Sequence, residues 1–210
     1  MSRPLVKVCG MTQLRQVEEL AVLGVDYAGF IFYPPSPRYM GNKIDPGALK
    51  QLGGIKKAGV FVNATTDEVR DAVAAYGLDL VQLHGDETPE YCSELKDVAT
   101  IVKVFRITGN EDIAHITAPY TAVADAFLFD TKAKEYGGTG KKFDWSGLEH
   151  ARLERPYFLS GGIGPGDGDE LRAFLHANHV YALDVNSKFE TAPGIKDIKL
   201  LEAFMGSLEG

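Results

Sequence analysis

Short apolar runs, rich in β-branched and aromatic residues, alternate with amphipathic stretches from one end of the chain to the other. The runs predict strands at Leu5–Cys9, Tyr27–Phe32, Lys57–Val62, Leu80–His84, Ile101–Arg106, Ala126–Asp130, Tyr157–Ser160 and Val180–Val185. Between them, helical periodicity predicts helices at Leu14–Leu23, Pro46–Gly53, Thr66–Tyr76 and Pro89–Lys96. Four more follow at Asp112–Pro119, Ser146–Ala151, Asp169–His176 and Ile195–Phe204. Cap chemistry supports three starts: Thr12 before the first helix, Thr66 or Asp67 at the third, and Thr88 ahead of Pro89.

The strands are apolar on both faces, as parallel strands covered by helices should be. Eight strand-then-helix units with short connections fit an α/β protein of the TIM-barrel class. That is a closed (β/α)8 barrel, here one domain over residues 1–210, rather than an open doubly wound sheet. Two connections are long, "YPPSPRYMGNK" after strand two and "TKAKEYGGTGKK" after strand six, and their Gly, Pro and Lys content marks them as loops.

Composition narrows the function classes. With 45% hydrophobic and 24% charged residues, the chain can bury a full core. A formal charge of −7 argues against nucleic acid as a partner, although backbone amides can still build a local anion site. No apolar run approaches the ~20 residues of a membrane span, and Met1–Pro4 is no signal peptide. Two cysteines, Cys9 and Cys92, are too few for a disulfide framework and match no zinc spacing, which points to the cytoplasm. Nothing implies an obligatory protein partner.

In such barrels the chemistry sits where strands end. Those ends supply Cys9-Gly10, Arg38 in the second loop, Asn63, His84-Gly85, Arg106, Asp130, Ser160-Gly161-Gly162 and Asp184 through Ser187. Taken singly, each has an ordinary reading: Cys9 a small buried hydrophobe, Asp130 a loop carboxylate or cap, His84 a satisfied strand-end histidine, Arg38 an exposed loop arginine. Cys92, inside "YCSEL", is read as packing. The most specific local signal is "FLSGGI", because paired glycines after strand seven let backbone amides approach a phosphate. Asn186, Ser187 and Lys188 add donors after strand eight. Lys103 and Lys132 lie near strand ends, yet neither is an obvious Schiff-base lysine. No Walker loop, dinucleotide fingerprint or metal-ligand cluster occurs. These parts suit acid–base chemistry on a small phosphorylated molecule.

The segments "KVCGMT", "AGFIFYPPSPRY", "VQLHGDE", "FLFDTKAKEYGGTGKKFDW", "FLSGGI" and "DVNSKFE…PGIKD" together resemble the phosphoribosylanthranilate isomerase family of tryptophan biosynthesis, in order and over nearly the whole chain. The resemblance implies a cofactor-free (β/α)8 isomerase performing an Amadori rearrangement. By motif, it implies Cys9 as general base, Asp130 as general acid and Arg38 as binder of the anthranilate carboxylate. Gly161, Gly162 and the strand-eight loop with Asp184, Asn186 and Ser187 would bind the phosphate end, and His84 is a further substrate-binding candidate. The chain departs from the family with Asn186-Ser187-Lys188, where Ser-Ser-Gly is common. A thiolate base beside a protonated carboxyl reverses the unperturbed order of about 8.5 and 3.9. Either the protein shifts both groups, or a minor protonation state reacts.

Overall fold

The computed structural model describes residues 3–131, 145–149, 151 and 153–208. Eight parallel strands close on themselves in chain order, β1 (Leu5–Val8), β2 (Tyr27–Ile31), β3 (Lys56–Phe61), β4 (Leu80–Leu83), β5 (Thr100–Ile107), β6 (Ala126–Thr131), β7 (Tyr157–Leu159) and β8 (Ala182–Val185). Closure is made by β1 against β8, where Leu5 to Val8 lie opposite Ala182 to Val185. A strand buried on both faces needs apolar residues at consecutive positions, which is why these elements were legible as apolar runs.

The helices are α1 (Leu14–Val22), α2 (Pro46–Gln51), α3 (Thr66–Tyr76), α4 (Pro89–Glu94), α5 (Ile113–Thr117), α6 (Ser146–Glu149), α7 (Gly168–Ala177) and α8 (Ile198–Ser207). Their starts follow local chemistry. Asp45, Thr88, Asp112 and Asp197 each accept a hydrogen bond from a first-turn amide. Such caps contribute about 1 kcal/mol each. Two sequence expectations are corrected. The cap of α3 is Thr65, which forms a reciprocal capping box with Glu68, rather than Thr66 or Asp67. Thr12 does not cap α1; the cap position is Gln13, and the Thr12 hydroxyl instead donates to the Gly194 carbonyl at 2.7 Å.

The largest difference lies after β8. Ile195–Lys196 is not the start of a helix but β10, paired antiparallel with β9 (Glu190–Ala192) in a small hairpin. Gly194, at φ 82°, makes the turn, and α8 begins three residues beyond the expected start. The expected α6 is shorter, and β8 begins at Ala182 rather than Val180. The sixth-loop expectation, including Lys132, falls outside the described residues. Among the described residues, no helix is long and apolar enough to cross a membrane.

Candidate active site

Strand alternation sorts every barrel residue to one of two sides. Val6 and Val8 face the helices, whereas Leu5 joins the interior cluster of Tyr27, Ala58, Leu80, Val102, Val104, Ala126, Leu128, Phe158 and Ala182. Two residues beyond Leu5 stands Lys7, and two beyond Lys7 stands Cys9. The same step leads from Ala182 to Asp184 and Asn186, from Leu80 to Gln82 and His84, and from Leu128 to Asp130. The inner face is therefore apolar at the bottom and ionisable at the strand C-termini.

On the β1/β8 side, Lys7 and Asp184 are direct neighbours in register, and Lys7 Nζ donates to Asp184 Oδ1 at 2.8 Å. Both are buried, as is Cys9. Gly29 of β2 makes the space for the thiol, because a Cβ there would lie 2.9 Å from Cys9 Sγ. Burial pushes the Cys9 thiol up and the Asp184 carboxylate adds to it, while Lys7 and Lys196 pull it back; the net direction is upward. Burial also raises Asp184 against the pull of Lys7, with Asp130 adding to the rise. Burial works against the Lys7 ammonium, but Asp184 and Cys9 outweigh it and hold its pKa above the ordinary lysine value. All three groups retain their protons more firmly than free side chains do.

Across the mouth, His84 Nε2 lies 3.4 Å from Asp130 Oδ2, and Gln82 Nε2 lies 3.0 Å from His84 Nδ1. Asp130 Oδ1 accepts from the Thr131 amide at 2.8 Å. His84 Nε2 and Gln82 Oε1 are buried without a hydrogen-bond partner among the described residues. Polar atoms left this way inside a well-packed barrel mark a place where a ligand completes the bonding.

Arg38 reaches the same rim from the second loop, passing over Gly10. A Cβ at Gly10 would meet Arg38 Cδ and Asn186 Oδ1, each at 2.8 Å. The Arg38 guanidinium is not exposed but clamped by Glu190, with Nε at 2.9 Å from both oxygens and Nη2 at 2.7 Å. Lys196 shares that carboxylate at 2.7 Å and bonds Asn186 Oδ1 at 2.7 Å. Two cations on one carboxylate outweigh its burial and hold Glu190 below the usual carboxylate range, while burial lowers Lys196. The trio carries one net positive charge.

After β7, Gly161 and Gly162 adopt φ of 90° and 74°, a conformation that glycine supplies without steric cost. Among the described residues their amides donate to no protein acceptor. Ser187 opens a short 3-10 turn, Ser187–Phe189, and Lys188 is exposed on it.

The strand-end expectation thus brings Cys9, His84, Asp130, Asp184, Asn186 and Arg38 to one mouth. Asn63 and Arg106 are used differently: the Asn63 amide bonds Glu87, and Arg106 pairs with Asp86 at 2.9 Å. Lys103 is buried in an ion pair with Glu87 on the helix-facing side. Sequence reasoning missed Lys7, Gln82, Glu190 and Lys196. Lys7 was findable, since a lysine two residues before Cys9 on a strand shares its face; Glu190 and Lys196 carry no such local mark.

The sequence pattern of the family described as N-(5'phosphoribosyl)anthranilate (PRA) isomerase matches residues 6–207. The N-(5'-phosphoribosyl)anthranilate isomerase of Parabacteroides distasonis is 42% identical, over 96% of this chain and 91% of that one. The crystal structure of phosphoribosyl anthranilate isomerase from Thermotoga maritima superposes with a TM-score of 0.84 at 32% identity, covering 99% of both chains. A phosphoribosyl anthranilate isomerase structure in complex with reduced 1-(o-carboxyphenylamino)-1-deoxyribulose 5-phosphate gives 0.81 at 30% identity, again over 99% of each.

Proposed function

The chain belongs to the N-(5'-phosphoribosyl)anthranilate isomerase family, and from that membership we propose how its own residues divide the work. The enzyme converts N-(5-phosphoribosyl)anthranilate to 1-(2-carboxyphenylamino)-1-deoxyribulose 5-phosphate, an Amadori rearrangement in tryptophan biosynthesis. Asp130 gives its proton to the furanose ring oxygen as the C1–O bond breaks, and the arylamine lone pair forms the C1=N⁺ bond. That cation acidifies C2–H. Cys9, as thiolate, removes the C2 proton, and the resulting enol becomes the ketone as a proton reaches C1. No atom or electron is gained overall, and the substrate's own nitrogen serves as the electron sink, so neither metal nor cofactor is required.

The observation that carries this reading is the position of Cys9 and Asp130 on the same inward-facing rim, separated by β7 and β8. A small sugar can present its ring oxygen to one and C2 to the other. Burial raises the Cys9 thiol, while Lys7 and Lys196 pull it back toward the thiolate that the step uses. His84, oriented by Gln82, stands beside Asp130 and offers its Nε2 to a substrate hydroxyl. The net positive charge of the Arg38–Glu190–Lys196 trio favours the anthranilate carboxylate at the Arg38 edge. Gly161 and Gly162 amides, with Asn186 and Ser187, take the phosphate, and Asp184 contributes to the strand-eight wall.

The same reading treats residues 1–210 as one domain acting in the cytoplasm on a small phosphorylated molecule, with no nucleic acid, membrane or obligatory protein partner. The test is turnover of freshly prepared N-(5-phosphoribosyl)anthranilate, followed by the loss of anthranilate-type fluorescence. Absence of turnover by the folded protein overturns it.

A further inference from the structure

We propose that Lys7 is a positioning residue for the base: its buried ammonium, anchored by Asp184, is the cation against which the Cys9 thiolate forms. This rests on the assignment of Cys9 as the base. Lys7 and Cys9 are two residues apart on β1 and share the inner face, and Lys7 has no exposed surface. An ammonium carries three hydrogens, and Asp184 Oδ1 takes one at 2.8 Å. The Cys9 thiol is its other side-chain partner, and it helps Asp184 hold the ammonium charged.

A fully buried ammonium is costly unless its charge is used. The groups facing Cys9 define that use. Lys7 from β1 and Lys196 from β10 favour the thiolate, and Asp184 from β8 opposes it. Arg38 crosses above at Gly10, and β2 offers only the neutral Gly29. Asp130 and His84 face Asp184 from β6 and β4, one raising and one lowering it. Lys196 is already committed to Glu190 and Asn186. Lys7 is thus the cation with capacity to spare when Cys9 loses its proton, and Asp184 keeps it in place and charged. When Cys9 takes the C2 proton, the ammonium returns wholly to Asp184. Lys7 itself donates no proton to substrate.

The experiment follows the pH dependence of Cys9 alkylation by iodoacetamide in the free protein, resolved from Cys92 by peptide mass. Wild type, Lys7→Met, the pair Lys7→Met with Asp184→Asn, and Cys9→Ala are compared. The paired variant removes both charges together, which keeps the barrel interior neutral and folded. Lys7→Met should move the alkylation midpoint up by at least about one pH unit, because a cation is lost and an uncompensated carboxylate is left beside the thiol. The paired variant should move it up by less, yet clearly above wild type. In both, kcat at neutral pH should fall at least about tenfold and recover as pH rises, with KM changing much less. An alkylation midpoint and kcat–pH profile unchanged in the paired variant overturn the role of Lys7 while leaving Cys9 as base. Near-native turnover by Cys9→Ala overturns both.

Discussion

Among the lysines buried in this barrel beside carboxylates, Lys103 and Lys7 differ in their surroundings in one respect. On the helix-facing side of β5, Lys103 donates to Glu87 Oε2 at 2.7 Å and to the Gly85 carbonyl at 2.8 Å. Glu87 also accepts the amides of Asn63, at 2.9 Å, and Gly85, at 3.0 and 3.1 Å. Tyr120 completes the bracket by donating its hydroxyl to the Glu87 carbonyl at 3.0 Å. Every arm of that pair ends on backbone, so it locks the loops after β3 and β4. On the inner side, Lys7 and Asp184 hold each other by a single bond next to a thiol. A saturated buried ion pair is a brace; an unsaturated one beside a nucleophile is poised for charge to move.

The largest effect separates these two roles. Glu87→Ala should destabilise the protein by about 3–5 kcal/mol, since it leaves the Lys103 charge, the buried Gly85 amide and the part-buried Asn63 amide without their acceptor. Urea unfolding measures this, and the Cys9 alkylation profile of the folded fraction should stay in place. If Glu87→Ala moved that profile as far as a Lys7 substitution does, the two pairs would not be functionally distinct.

Next come the groups proposed for proton transfer. Cys9→Ala and Asp130→Ala should each lower kcat at least ~10²-fold, as removal of a general base or acid does. The urea midpoint should change little, because neither residue braces a loop. Turnover near the native level in either variant would remove that residue from the mechanism.

The cysteines repeat the contrast. Cys9 sits among charges, whereas Cys92 on α4 is fully buried in the apolar cluster with Leu95 and Ile101. Burial pushes the Cys92 thiol up to about 11 from 9.0. Between those pH values the unfolded chain releases this proton and the native state keeps it, so the contribution is present below about pH 9 and lost as pH rises through about 11. The loss is at most about 3 kcal/mol. Cys92→Ala should flatten stability against pH over that window without changing turnover at neutral pH. An alkaline limb as steep as in wild type would mean that Cys92 does not carry it.

How much of this was legible follows from the range over which each feature is encoded. The barrel was legible because each parallel strand writes its burial into consecutive apolar positions, and observed bounds differ from the expected ones by a residue or two. Cys9, Asp130 and His84 were legible because strand ends define the mouth. The β9–β10 hairpin was not, because "GIKDIKLLEAF" carries apolar spacing that suits a longer helix, and only Gly194 breaks it. The engagement of Arg38 by Glu190 joins residues 152 positions apart, and nothing local to either names the other. The Lys7–Asp184 pair spans 177 positions, yet the inner-face step from Cys9 would have located half of it.

A third lysine sets the lower limit of the comparison. Lys188 stands on the turn after β8, and it is exposed. Its stem nevertheless leans toward the glycine loop after β7: a Cβ at Gly164 would lie 3.4 Å from Lys188 Cβ and Cγ. The stem therefore runs beside the proposed phosphate loop, and among the described residues no hydrogen bond or ion pair holds the ammonium, which is neither the brace of Lys103 nor the enclosed cation of Lys7. An exposed ion pair contributes about 0.2–1 kcal/mol, so Lys188→Gly should raise KM by roughly 1.4- to fivefold at low salt. kcat should be nearly intact, because the phosphate is held equally in ground and transition states. Screening over about 8 Å at physiological ionic strength should shrink the difference as salt is added. Steady-state KM for the variant and the parent, measured from low to high salt, decides the matter. A KM identical to the parent throughout would return Lys188 to the surface and leave Gly161, Gly162, Asn186 and Ser187 as the phosphate site. A difference that persists undiminished at high salt would instead place the ammonium inside the closed site, in the class of Lys7.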